Sequence, residues 1–236
     1  MTGDGWIDEA VRTGLTRFYA TYSDAVNELE LRPLLRKSNP WRLRALGLRD
    51  CADVVQRLVD DHMSSSAESK FGNEFIETVV GMVPGVSPSP VKGADFEKDG
   101  TLVSVKSGFN WGNNDQWKSL VADATAALKR YKAHPGKRTG EFVLGVAVGR
   151  GSRTPRKEVF PFRELRGQKF WDWVTGDSEA YQKITDALDR LAGEYEEKRK
   201  AAISRLRQQM IVEFGLTGGI VDWKKLNAFV SAEIAP

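Results

Sequence analysis

The chain has 236 residues, 41% of them hydrophobic and 28% charged, the proportions of an ordinary globular protein, and its length suits one domain with an appended subdomain. No run approaches the roughly 18 apolar residues needed to span a bilayer, and the opening MTGDGWIDEA has neither a basic nor an apolar leader region, so a membrane or secreted protein is not expected and the cytoplasm is. Cys51 alone cannot make an internal disulfide, and His62 and His134 stand too far apart to build a Cys/His zinc site; any metal must be held by oxygens.

The 35 Lys and Arg against 32 Asp and Glu leave a formal charge of only +3, but the charge is unevenly spread. Leu31 to Arg49 carries six basic residues and no acid, and Lys129 to Lys169 carries twelve basic residues against three acids. Acids gather in Asp50 to Asp61 and Asp177 to Glu197. Basic stretches interleaved with aromatics are the footprint of a nucleic-acid binder, and they equally fit the solvated faces of ordinary helices. Lys37, Asn39, Arg42 and Arg44 form one DNA-facing candidate set on this basis.

Apolar spacing of three and four predicts a helix over 7–31 ending at Pro33, a second over 50–63, and a third after the serines at 64–66, which offer N-caps, running to Pro84. Beyond the Pro-rich PGVSPSPVKG the period changes: two short runs flank Asp99-Gly100, a strong hairpin signal, so strands are expected at about 93–97 and 101–106. A helix over about 115–133 and a buried strand over 141–149 follow. Residues 177–214 read as helix interrupted near Gly193, and 222–232 as a short closing helix. The order describes a mixed α/β core, with a helical region over 1–63, the core over 64–175 and a C-terminal helical region over 176–236.

Residues two apart in a strand share a face, so Leu102, Ser104 and Lys106 point together, and a hairpin partner can bring Asp95 beside them. Asp95 with Glu77 from the preceding helix is a donor set for Mg²⁺, which neutralises a scissile phosphate and acidifies a bound water; Lys106 would position that water or stabilise developing charge. By themselves the same residues fit a solvated surface hairpin and the polar edge of an amphipathic helix.

SSSAESKFGNEFIE, KGADFEKDGTLVSVKSGFNWGNNDQ, VLGVAVGRG and GQKFWDWVTGDSEAY together resemble type II restriction endonucleases of the PD-(D/E)xK superfamily, within it the EcoO-type subgroup, whose prototype cuts a site built on GG-any-CC. The resemblance covers about 36–182. It implies a restriction-endonuclease-like α+β fold, a central mixed sheet flanked by helices, and Mg²⁺-dependent hydrolysis of double-stranded DNA at a palindromic or near-palindromic site. Further implications are a homodimer, with the C-terminal helices a candidate interface, and a partner methyltransferase protecting the same site. Matched position by position, Asp95 is the first acid, Lys106 the lysine and Glu77 the helix glutamate, with Glu74 or Glu68 as lesser candidates; the Val105 carbonyl is a further metal ligand. Ser104 departs from the pattern, standing where the motif has its second carboxylate, and Glu77 or Asp123 would have to supply the missing charge. Ser107, Asn110, Trp111, Asn113, Asn114 and Gln116 after the catalytic strand, and Arg150 and Arg153 after the next, are DNA-facing candidates. Amides there bond phosphates or base edges or cap the helix, Trp111 supports the loop, and phosphate contact is the commoner role for the arginines. The aromatics of GQKFWDWVTGDSEAY are expected in the core. A repair or structure-specific nuclease of the same fold, and a DNA-binding module without catalysis, are the rival readings.

Overall fold

A computed structural model describes residues 5–108, 114–135, 140–153 and 162–231. The chain forms two compact units, one of residues 1–18 and 70–193, the other of residues 19–69 and 194–236.

The first unit is built on a six-stranded sheet in the order β1-β2-β3-β4-β6-β5. Its strands are β1 (Val86–Pro88), β2 (Phe96–Lys98), β3 (Thr101–Lys106), β4 (Phe142–Val146), β5 (Ser152–Arg153) and β6 (Arg163–Arg166). β1, β2 and β3 pair antiparallel, β3, β4 and β6 parallel, and β5 antiparallel to β6. The β2–β3 turn is Asp99-Gly100, with φ of 47° and 77°. Two consecutive positive φ values are what a two-residue hairpin with right-handed strand twist requires, and the pair Lys98–Thr101 closes it.

Parallel strands need a crossover, and helix α6 (Asn114–Lys132) supplies it between β3 and β4. Its Leu120, Ala124, Ala127 and Tyr131 pack on Leu102, Phe142, Leu144 and Val146. The expected mixed sheet with flanking helices is therefore the architecture found. On the opposite face, α7 (Gln168–Thr175) lays Phe170 over Gly145, where a Cβ would come within 2.2 Å of the ring's Cε2. The close approach of strand and helix depends on that missing side chain. Gly145→Ala is expected to destabilise the fold by about 1–3 kcal/mol through overpacking, read as a lower denaturant midpoint, and Phe170→Leu in the same chain should recover part of the loss. Trp171 is also buried, its Nε1–H donating to the Ala147 carbonyl at 2.9 Å, so these two aromatics are core, as expected, whereas Trp173 and Tyr181 of the same stretch are half-buried. Helix α8 (Ala180–Leu191) follows.

The second unit is helical. Leu31, Leu34, Leu35 and Leu43 pack with Cys51, Val54, Val55, Leu58 and Val59, and with Ile203, Leu206, Met210, Phe214 and Leu226, in one apolar core. These side chains come from α2 (Leu31–Arg36), α3 (Pro40–Ala45), α4 (Cys51–Lys70), α9 (Glu196–Phe214) and α10 (Trp223–Ser231).

Several elements depart from the periodicity reading. The first helix, α1 (Gly5–Asn27), ends early, and Pro33 lies inside α2 instead of stopping a helix; in a first turn its missing N–H costs nothing. The helix expected to begin after the serines at 64–66 does not begin there. α4 runs through them, Ser64 Oγ donating back to the Asp61 carbonyl at 3.2 Å, the local bond that lets a serine sit within a helix. The helix then widens into a π turn, Phe71–Ile76, and continues as α5 (Glu77–Gly81). The strand expected at 93–97 starts at Phe96, and that expected over 141–149 stops at Val146. β1, β5, β6, α2 and α3 are too short to show a period. The interruption expected near Gly193 is present, a 3-10 turn over Ala192–Tyr195 between α8 and α9.

Candidate active site

β2 begins opposite Val103, so from Ser104 onward β3 lacks a β2 partner. Asp95, just before β2, takes that place. Its N–H donates to the Val103 carbonyl at 2.9 Å, and its Oδ2 accepts from the Val105 N–H at 2.7 Å and from Ser104 Oγ at 2.9 Å. On the other edge the Lys106 carbonyl accepts from Ala147 N–H at 2.8 Å. The N–H and C=O of a strand residue point to the same edge, so the Val105 carbonyl faces the side where Asp95 lies.

The row Leu102, Ser104, Lys106 continues across the sheet in register with Phe142, Leu144 and Val146, which puts Lys106 on the α6 face. There it borders a cavity of about 250 Å³ with Gln116, Ser119, Leu120 and Asp123. Asp123 is exposed, and its Oδ2 accepts from Ser119 Oγ at 3.4 Å. Glu77 comes from the other direction, as the first residue after the π turn. Burial raises its pKa first, the Asp95 charge next; Lys106 opposes them, and Glu74 adds to the rise. Glu77 therefore senses the charges of both Asp95 and Lys106. Of the two acids considered as substitutes for the missing carboxylate, Glu77 is coupled to Asp95 and Asp123 shares the lysine's cavity.

This donor set fits a small divalent cation. Asp95 lies close enough for its charge to raise the Glu77 pKa, Lys106 opposes that rise, and a strand-edge carbonyl adds a neutral oxygen. Among the described residues, no group of three or more His, Cys, Asp or Glu side chains forms a protein cage for a metal. One or two carboxylates completed by water and phosphate oxygens is the usual Mg²⁺ arrangement.

A raised carboxylate pKa contributes stability that is complete below the unfolded value and is lost as pH rises through the folded one. In metal-free protein, Glu77→Gln should therefore raise the melting temperature relative to the parent at pH 8, with the difference vanishing toward pH 4. The same substitution should shrink the stabilisation that Mg²⁺ confers on the parent at pH 8. A parent and variant with parallel pH profiles would remove Glu77 from the cluster.

The DNA-facing candidates are dispersed. Ser107 follows β3, its Oγ 3.5 Å from where a Cβ on Gly72 would stand, so it faces the π turn. Asn114 opens α6 and Gln116 lines the Lys106 cavity. Arg150 is exposed beyond β4, and the backbone of Arg153 pairs with Glu164 in β5. Asn110, Trp111 and Asn113 lie outside the described residues. Lys37, Asn39, Arg42 and Arg44 belong to the second unit. Asn39 is the N-cap of α3, its Oδ1 accepting from the Trp41 and Arg42 N–H groups at 3.0 and 3.2 Å, and Arg42 pairs with Asp61. Lys37 and Arg44 are exposed. The expected hairpin brings Asp95 beside Ser104 but places it inside a strand and not just before one, so the hydrogen bond between them was not foreseen, and the buried Glu164–Arg166 ion pair was missed because β6 was.

Among the described residues no helix is long and apolar enough to cross a membrane. A search of curated proteins finds no match. The family model for the type II restriction endonuclease EcoO109I matches residues 6–196 of the 236. That span contains the whole sheet, Glu77, Asp95, Ser104 and Lys106, and the chain therefore belongs to the EcoO109I family of type II restriction endonucleases, which are site-specific deoxyribonucleases.

Proposed function

We propose that this chain hydrolyses phosphodiester bonds of double-stranded DNA in a Mg²⁺-dependent reaction at a palindromic or near-palindromic site. The observation that carries this reading is the Asp95–Ser104–Val105 hydrogen-bond cluster, with Lys106 on the same strand face and Glu77 electrostatically coupled to both charges. Asp95, Glu77 and the Val105 carbonyl are the residues that would hold the metal. When bound, Mg²⁺ supplies charge neutralisation at the phosphate and a more acidic water.

Lys106 orients the attacking water and offsets negative charge building on the phosphate oxygens. Ser104 keeps the Asp95 carboxylate turned toward the strand edge. Lys37, Arg44 and Arg150 are exposed cations that suit phosphate contacts, and Gln116 is an amide at the mouth of the Lys106 cavity.

A two-fold site is met most simply by a two-fold protein. Ile211, Val212, Leu216 and Ile220 of the second unit are 40–70% exposed and provide an apolar face for homodimer formation in the C-terminal helical region. A methyltransferase protecting the same site would be its cytoplasmic companion.

Digestion of phage DNA of known sequence, with and without Mg²⁺, followed by mapping of the ends, tests the reading. A discrete fragment ladder sharing one sequence motif is expected only with metal. Nicks or junction-specific cuts would instead favour a repair-type nuclease, and specific binding without hydrolysis in Mg²⁺ or Mn²⁺ a non-catalytic DNA binder.

A further inference from the structure

Trp41 is 78% exposed, an indole standing in water, whereas an aromatic side chain normally buries roughly 150–250 Å². It does not sit on a loose loop. Asn39 Oδ1 accepts the Trp41 and Arg42 N–H groups, fixing the start of α3. Leu43, fully buried, anchors the helix to the second unit's core, and the Arg42–Asp61 ion pair ties it to α4. The indole is thus held outward on a braced support.

Its surroundings are basic. No acid occurs from Leu31 to Arg49, and Arg44, three residues on, shares the Trp41 side of the helix. Lys37, Arg44 and Arg49 are exposed. Asp61, the acid that reaches α3, is divided between Arg42 and Arg57, so the cluster stays positive.

A second copy of this chain is a poor occupant. An isologous contact sets a patch against itself, and here that would oppose like charges. A polyanion with apolar surface between its charges suits the patch, and duplex DNA has that character: deoxyribose and base edges between rows of phosphate. We infer that Trp41 is a DNA contact, its indole packed on sugar and base edges while Arg44 and Lys37 engage the flanking phosphates. The inference rests on the DNA-cleaving reading and adds to it a recognition residue away from the Asp95–Lys106 cluster.

The test uses the full chain and a fluorescently labelled duplex spanning a sequence that it cuts, with Ca²⁺ replacing Mg²⁺ for binding measurements. Trp41→Ala should raise Kd by about 10-fold, the loss of the apolar surface that the indole buries on sugar and base edges, and Trp41→Phe should regain most of it. The salt dependence of binding should keep its slope in Trp41→Ala and lose about one unit in Arg44→Ala. Melting temperature and oligomeric mass should be unchanged in Trp41→Ala. Unchanged Kd in a variant of a chain that cuts DNA overturns this inference alone, as does a shift in oligomeric mass, which would make Trp41 a contact between copies. Failure of the parent chain to bind or cut any duplex overturns both readings together.

Discussion

Lys106→Ala is expected to lower the single-turnover rate of DNA cleavage by a factor on the order of 10³ while leaving the affinity for DNA nearly unchanged. In phosphodiester hydrolysis negative charge accumulates on the phosphate oxygens as the water attacks, so a cation held at that place is worth more in the transition state than in the bound substrate. In the proposed site Lys106 would be that cation. It extends from the last residue of β3, its backbone fixed by the carbonyl's bond to Ala147, and its charge is felt by Glu77. Lys106→Arg should recover only part of the rate, because a planar guanidinium is not a compact ammonium. Full activity in Lys106→Ala would place the chemistry elsewhere.

The second large effect concerns Asp95, where two substitutions separate chemistry from structure. Asp95→Asn retains an oxygen that can accept from Val105 N–H and Ser104 Oγ, so the melting temperature should stay close to that of the parent. Cleavage should nevertheless fall by a factor on the order of 10³ or more, because a neutral amide is a weak ligand for a hard divalent cation. Asp95→Ala removes the acceptor as well. It should add a stability loss of about 1–3 kcal/mol from the unpaired strand-edge N–H, measurable by chemical denaturation. Equal melting temperatures for the two variants would mean that the Asp95 hydrogen bonds do not hold the end of β3.

The parts of this fold legible in the sequence are those whose own residues enforce them. Asp99-Gly100 prescribes its turn through backbone geometry, α6 declares itself by the spacing of Leu120, Ala124 and Tyr131, and the apolar β4 announces a strand covered on both sides. The alternation of Leu102, Ser104 and Lys106 likewise fixes a shared face before any tertiary contact is known. What stayed hidden depends on partners distant in the chain. β1, β5 and β6 exist because neighbouring strands pair with them, and runs of two to four residues carry no period. The π turn at 71–76 leaves the apolar pattern of a helix nearly intact while changing its ladder. Composition singled out Asn39 and Arg42 but not the local role that each has, one as a cap and one in an ion pair. Conversely, Trp41 has the composition of a core residue, and only its exposure distinguishes it.

The two donors to Asp95 converge on a single oxygen, Oδ2. One carboxylate oxygen is thereby engaged by the protein, which biases the side chain toward offering one tooth and not a two-toothed bite. Calcium sites accept bidentate carboxylates in loose seven- or eight-fold shells, whereas magnesium demands a tight octahedron filled by single oxygens. Were Asp95 to hold the metal as proposed, the Ser104 hydroxyl and the Val105 amide would in this way favour ligation through one oxygen, and Ser104 would act on ion selectivity through the carboxylate it holds.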